Sequence, residues 1–276
     1  MTARLAIHDD VAATATDVIA RLTEAGVEVE VVGLHPNPLV GLTQKHLDLA
    51  AVGVRALQVA ATDSLSMLAV LPREDPRDVV VVVSGAREPL RSLPRRARVA
   101  VRGARRVALL RAHRPDLEVV PGQVGWDVDA LEKDGVHATI LWSGEARRAG
   151  LAVRTTEVLD ARFWPPEPGQ GAVAIMGRYP IAEVTALDHL PTRTALRAEL
   201  ALIDALGAPD DAGLGALAQP SGRIMRLWAT VASEDGQRVV RADLTGPLDE
   251  PEQLGVSMAR TLNARGARLV LAGATE

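Results

Sequence analysis

The sequence predicts an α/β protein in three parts: two α/β lobes and a smaller α+β domain at the C-terminus. Three observations carry that reading. Strand-like and helix-like stretches alternate through the first two thirds of the chain, as in strand–helix–strand units. The run VVVVV at 79–83 is continuous and β-branched, which suits a strand buried on both faces. Beyond about residue 185 the order changes to a long helix, two alternating strands and a final helix. A chain of 276 residues is long enough for more than one core.

Taken in order, RLAIHDD (4–10) opens as a strand, ATATDVIARLTEAG (13–26) has helical spacing and stops at Gly26, and VEVEVV (27–32) alternates with period two. HPNPLVG (35–41) reads as turns, Gln44–Val52 as a helix, and RALQVAA (55–61) and LSMLAVL (65–71) as extended. PREDPRD (72–78) sets two prolines among charges and marks the first lobe's boundary. The second lobe follows as a parallel-sheet unit: strand ARVAVRG (97–103), helix ARRVALLRAHR (104–114), strand LEVV (117–120), helix DVDALEKDG (127–135), strand ATILW (138–142) and helix EARRAG (145–150). FWPPEPGQGA (163–172) is too rich in Pro and Gly to be regular and returns the chain to the first lobe. The expected domains are therefore 1–76 with 162–179, then 77–161, then 180–276. In the last, 185–207 is largely helical, 226–233 and 237–246 are strands, 251–266 is a helix and ARLVLAG (267–273) a strand.

Composition excludes several chemistries. The net charge is −4, and no run of Lys or Arg exceeds two, so neither nucleic acid nor an anionic membrane is an expected partner. The N-terminus lacks the basic and apolar blocks of a leader, and no window approaches about 18 apolar residues, so a cytoplasmic protein is expected. The chain has no cysteine, which removes disulfides, thiolate metal sites and any thiol nucleophile or thioether. The six histidines show neither i, i+4 pairing nor HExxH, so no metal is expected.

PREDPRD, ARRVALLRAHRPDLEV (104–119), GQVGWDVDALEKDGVHA (122–138), PGQGAVAI (168–175) and TALRAELALIDALG (194–207) occur in an order and spacing that resemble the hydroxymethylbilane synthases, also called porphobilinogen deaminases. That resemblance implies two periplasmic-binding-protein-like lobes around a cleft and a third domain bearing a cysteine. It also implies a transferase that links porphobilinogens onto a dipyrromethane cofactor held by that cysteine. Here the cysteine's position falls on Asp210, a carboxylate that cannot form the thioether. No cofactor is therefore expected. The family's essential Asp follows a Lys in a turn after a strand, and the matching stretch is VAATDSLS (59–66). Without a gap, Asp63 stands for the Lys and Ser64 for the Asp; shifted by one residue, Asp63 becomes the carboxylate. Asp63 as a cap of a turn is the plain alternative.

The resemblance also places paired arginines at Arg105 and Arg106, inside the start of a helix, where guanidinium and backbone N–H groups could share a ligand carboxylate. Solvated helix residues are the competing reading. Other anion-binding positions are thinned: His8 and Asp10 stand for Arg and Ser, Pro121 and Asp127 for arginines, and Arg102 with Gly103 for a serine pair. Arg147 and Arg148 stand where the family has Lys and Arg. The Val31–Thr43 span is about a dozen residues shorter than the family's mobile loop, so the lid is expected to be missing. Trp126 and Trp142 could fill cofactor space, stack on a planar ligand or simply pack. Gly169, Gln170 and Gly171 read as a tight turn lining the cleft.

The expectation is a cofactor-less relative, simplest as a monomer, binding a small anionic or planar molecule in a pyrrole-related or specialised pathway. Its ligand residues are Arg102, Arg105, Arg106, Trp126, Trp142 and Gly169–Gly171, with Asp63, Ser64, His8 or Asp10 for acid–base work. An enzyme of altered chemistry, a non-catalytic binding or regulatory protein and an atypical deaminase all remain open.

Overall fold

A computed structural model describes residues 2–53, 64–84, 87–122, 127–209 and 211–273, without the side chain of Asp10. The chain divides into two compact units, Met1–Glu74 with Gly169–Leu196, and Asp75–Pro168 with Arg197–Glu276.

The first unit is a five-stranded sheet. Its strands are β1 (Ala3–His8), β2 (Val29–His35), β3 (Leu49–Val52), β4 (Ser66–Val70) and, after the chain's excursion through the second unit, β10 (Ala174–Gly177). The spatial order is β2-β1-β3-β10-β4, with β10 antiparallel to both of its neighbours. Helix α1 (Ala15–Glu24) buries Val18 and Leu22, four residues apart, against Leu5, Ile7 and Ile175 of the sheet. Each such side chain taken from water contributes roughly 1.5–3 kcal/mol. Gly26 ends the helix at φ +85°, a conformation that a side chain disfavours. The helix expected over Gln44–Val52 is not formed: α2 (Pro38–Thr43) precedes it, and Leu49–Val52 is strand β3. All four residues of β3 are buried, so no alternation marks it as a strand.

The second unit holds two sheets. The first consists of β5 (Asp78–Val82), β6 (Arg98–Val101), β7 (Glu118–Pro121), β8 (Ala138–Trp142) and β9 (Thr155–Val158), in the order β7-β6-β8-β5-β9. Strands β6, β7 and β8 are parallel, but β5 runs antiparallel to β8 and β9, so this sheet is mixed and not the parallel one expected. The valine run explains itself. Val80 joins one core with Val99, Leu109 and Ile140, while Val79, Val81 and Val83 join another with Leu131 and Leu141. The covering helices are α3 (Ala104–His113), α4 (Val128–Lys133) and α5 (Ser143–Arg148).

In the first unit α6 (Ala182–Thr185) follows β10, and α7 (Leu190–Leu206) then carries the chain across the boundary at residue 196/197. The other sheet is an antiparallel meander of β11 (Leu214–Ser221), β12 (Ile224–Ala232) and β13 (Val239–Pro247), packed against α8 (Pro251–Ala264) and α9 (Ala267–Leu271). The strand expected over residues 267–273 is thus helix α9, which turns Ala267 and Val270 inward at helical spacing. Architecturally the chain is α/β, with two five-stranded sheets and a small third sheet.

Candidate functional site

In the first unit, one sheet edge gathers the ends of β1, β3 and β4 and the start of β10, because Val52, Val70 and Ala174 are register partners. His8 closes β1 at that edge, half-buried and opposite His35 of β2. Just before β10 comes the Gly169–Gly171 turn, with Gly169 at φ +77° and Gly171 at φ +81°. Side chains are rarely tolerated there. Ala172 N–H closes the turn on Gly169 O at 3.0 Å. Arg73 Nε donates to Gln170 O at 2.8 Å and Glu74 N–H to Gly171 O at 3.0 Å, so the head of the PREDPRD motif fastens the glycine turn.

Of the acid–base set, the side chains of His8 and Ser64 alone are described. Asp63 and the side chain of Asp10 lie outside the described residues. Ser64 is exposed and sits two residues before β4, whose first residue pairs with Gly177, so it belongs to the opposite sheet edge from His8. Leu49–Val52 also ends at the His8 edge, and residues 54–63 that follow Gly53 lie outside the described residues.

In the second unit the parallel strands β6, β7 and β8 end at Val101, Pro121 and Trp142, the edge where open α/β sheets hold ligands. Arg102, exposed, stands 3.4 Å from Glu145 Oε1. Gly103, at φ +91°, then starts α3, whose first turn carries Arg105 and Arg106. Both turn inward. Arg105 Nη2 donates to Asp78 Oδ2 at 2.7 Å; Arg106 Nη2 donates to Oδ1 at 3.0 Å and its Nε to Oδ2 at 3.1 Å. Trp164 Nε1 adds a bond to Asp78 Oδ2 at 3.0 Å, and Arg105 Nη1 one to Pro165 O at 3.0 Å. Asp78 has no solvent exposure. Burial raises its carboxyl pKa, but the Arg105 and Arg106 charges outweigh that and hold it far below the usual carboxylate range. The arginines are buried rather than solvated, and they grip a buried carboxylate 27 and 28 residues upstream.

Trp142, half-buried, donates Nε1–H to Asp75 O at 2.6 Å, and the Arg148 guanidinium carbon lies 4.6 Å from its ring centroid. Asp127 caps α4, accepting from Asp129 N at 3.0 Å and Ala130 N at 3.2 Å, which gives this acid a local role. Trp126 and Asp210 lie outside the described residues. The sequence reading gives Asp78 no role of its own; a charged residue heading a strand buried on both faces is the available signal.

His113, at the end of α3, packs its ring 5.4 Å from Trp164 and bonds Leu109 O through Nδ1 at 2.8 Å. Burial lowers its pKa, the Leu109 bond opposes the shift and Arg241 adds to it. The folded chain therefore takes up a proton on this ring less readily than the unfolded chain does. Stability is expected to fall as pH drops below about 6.5, and His113→Gln is expected to flatten that slope. Urea midpoints measured across the range for both proteins check this; parallel slopes would refute it.

Among the described residues, no group of three or more His, Asp or Glu could hold a metal ion, and no helix is long and apolar enough to cross a membrane.

The two units thus define an α/β protein whose glycine turn and inward-facing arginine pair are built from the shared sequence motifs. A family model described as porphobilinogen deaminase, dipyromethane cofactor binding domain, matches residues 14–186. The porphobilinogen deaminase of Desulforudis audaxviator is 38% identical over 239 residues, 84% of this chain and 76% of that one. That of Pelobacter propionicus is 35% identical over 231 residues, 82% and 74% of the two chains. The chain belongs to the porphobilinogen deaminase family. Among solved structures, a putative methionine-binding lipoprotein from Bacillus subtilis is similar at a TM-score of 0.45 and 15% identity, over 67% of this chain and 88% of that one. A pyrrole cofactor linked through a thioether does not fit these residues, since the chain has no cysteine thiol to form the bond.

Proposed function

We propose that this chain is a porphobilinogen deaminase relative that no longer builds a tetrapyrrole and instead holds a small carboxylated or planar ligand. The absence of cysteine from all 276 residues carries the reading, because chain elongation needs a covalent primer and no thiol is present to anchor one. The ligand's place in the second unit is the edge where β6 and β8 end, with Arg102 for a carboxylate and Trp142, backed by Arg148, for a planar ring. Arg105 and Arg106 are committed to Asp78, so they support this edge unless a ligand draws them away from that partner. His8 and Ser64 stand on opposite sheet edges, which favours a binding role over an enzyme that uses them as a pair.

The test is incubation with porphobilinogen, followed by oxidation and absorbance for porphyrin, together with intact mass spectrometry of the purified protein. No porphyrin and the unmodified polypeptide mass are expected. Turnover, or a mass increase equal to an attached pyrrole dimer, would overturn the proposal. Arg102→Ala is expected to weaken binding of a pyrrole carboxylate probe by about threefold to tenfold, as for one partly exposed charged contact.

A further inference from the structure

The first unit carries a second concavity at the edge opposite His8 and the glycine turn. It is a pocket of about 370 Å³ with walls that include Ala3, Val27, Asp48, Arg178, Tyr179 and Glu183. Ala3 opens β1, Asp48 immediately precedes β3, and Arg178 and Tyr179 immediately follow β10. The length of β1 sets this pocket roughly 15–20 Å from the His8 edge.

Arg178 is the feature that asks for an explanation. Its side chain is only 16% exposed. One donor is used, Nη1 on Leu42 O at 3.0 Å. Nη2 stands 3.7 Å from Asp48 Oδ1, an ion pair too long to be a hydrogen bond. Nε is buried with no hydrogen-bond partner among the described residues. A mostly buried guanidinium with an unmet Nε–H is costly to keep unless something completes its shell. Asp48 cannot swing over to do so freely, because its Oδ2 already accepts the Arg4 N–H at 2.9 Å.

The rest of the wall narrows what completes it. Asp48 and Glu183 give two negative charges against the one positive charge of Arg178, so a simple anion would be repelled by the pair and a simple cation by the guanidinium. Ala3, Val27 and Ile181 supply an apolar side, and the Tyr179 ring, 70% exposed, lies 5.9 Å from the Arg178 guanidinium carbon. We propose that this pocket is a binding site for a free α-amino acid with an apolar side chain. The carboxylate completes the Arg178 guanidinium, the ammonium sits with Asp48 and Glu183, and the side chain lies on Val27 and Ile181. The site is independent of the ligand reading at the Arg102 edge.

The experiment uses the full chain and three probes that share one hydrocarbon skeleton: L-leucine, 4-methylvalerate, which lacks the ammonium, and isoamylamine, which lacks the carboxylate. Binding is read by calorimetry and saturation-transfer NMR. L-Leucine is expected to bind, with each half-probe weaker by about tenfold or more, the effect of losing one charge-assisted contact. Glu183→Gln, at an exposed helix position, is expected to weaken L-leucine by about the same factor while leaving 4-methylvalerate unchanged. Arg178→Lys is expected to weaken both carboxylate probes. Arg102→Ala is expected to leave L-leucine untouched. No L-leucine binding at millimolar concentration, equal binding of all three probes, insensitivity to Glu183→Gln, or loss on Arg102→Ala would each overturn the proposal.

Discussion

Asp78→Asn is expected to lower the stability of the protein by about 3–5 kcal/mol, the usual consequence of removing one partner from a buried ion pair. Asparagine keeps the shape but not the charge, and it leaves Arg105, 5% exposed, and Arg106, 8% exposed, facing an uncharged amide. Trp164 Nε1 keeps an acceptor, so most of the loss comes from the arginines. Domains carry about 5–15 kcal/mol in total, so the variant would be marginal. The urea midpoint reads the change, and a loss below about 1 kcal/mol would show that the network contributes little. Replacing the trio together, with Asp78→Leu, Arg105→Met and Arg106→Leu, is expected to recover much of the loss, because well-packed apolar groups avoid the desolvation cost. The sign with pH follows from the depressed Asp78 carboxyl. Its contribution is fully present above the unfolded value near about 3.9 and is lost as pH falls through the lower folded value. Wild type and Asp78→Asn are thus expected to converge only in strong acid.

Gly255→Ala is the second large effect. Gly255 lies in α8 where it crosses α7, and a Cβ built there would stand 2.8 Å from Leu202 N and 2.9 Å from Ala201 Cβ, nearer still to Ala198 O. Two of these three atoms are backbone and cannot move without displacing a helix. Overpacking costs about 1–3 kcal/mol and sometimes more, against roughly 1 kcal/mol that alanine gains over glycine inside a helix. A net loss of about 2 kcal/mol is expected by thermal unfolding, and a neutral or stabilised variant would refute the close crossing.

Much of this architecture was legible because local pattern and tertiary position agree. Val79–Val83 reads as a strand because both of its faces are buried, and α1 because Val18 and Leu22 share one face. Leu49–Val52 misleads: two of its four residues are alanine, and full burial removes the alternation. β11 is hidden in the sequence for a related reason, since its buried stretch Leu214–Ala218 sets only Leu214 and Leu217 among Gly215, Ala216 and Ala218, whose strand preference is low. The segment 267–273 misleads in the opposite sense, because Leu269, Val270 and Leu271 form a short strand-like apolar run although the buried face is Ala267 and Val270. At the site, the start of α3 and the two arginines could be read from the sequence, but not their partner. Nothing local couples Asp78 to residues 105 and 106; only the sheet brings the head of β5 to the first turn of α3.

The position of β10 also bears on how the protein is made. β3 and β4 are joined through β10, which the ribosome reaches more than a hundred residues after it has finished β4. Until then β3 lacks one of its two neighbours and β4 its neighbour in the sheet, while the intervening segment can condense around its own valine-rich sheet. The part translated first is thus the one completed late, and shortening the message before codon 177 leaves its centre open.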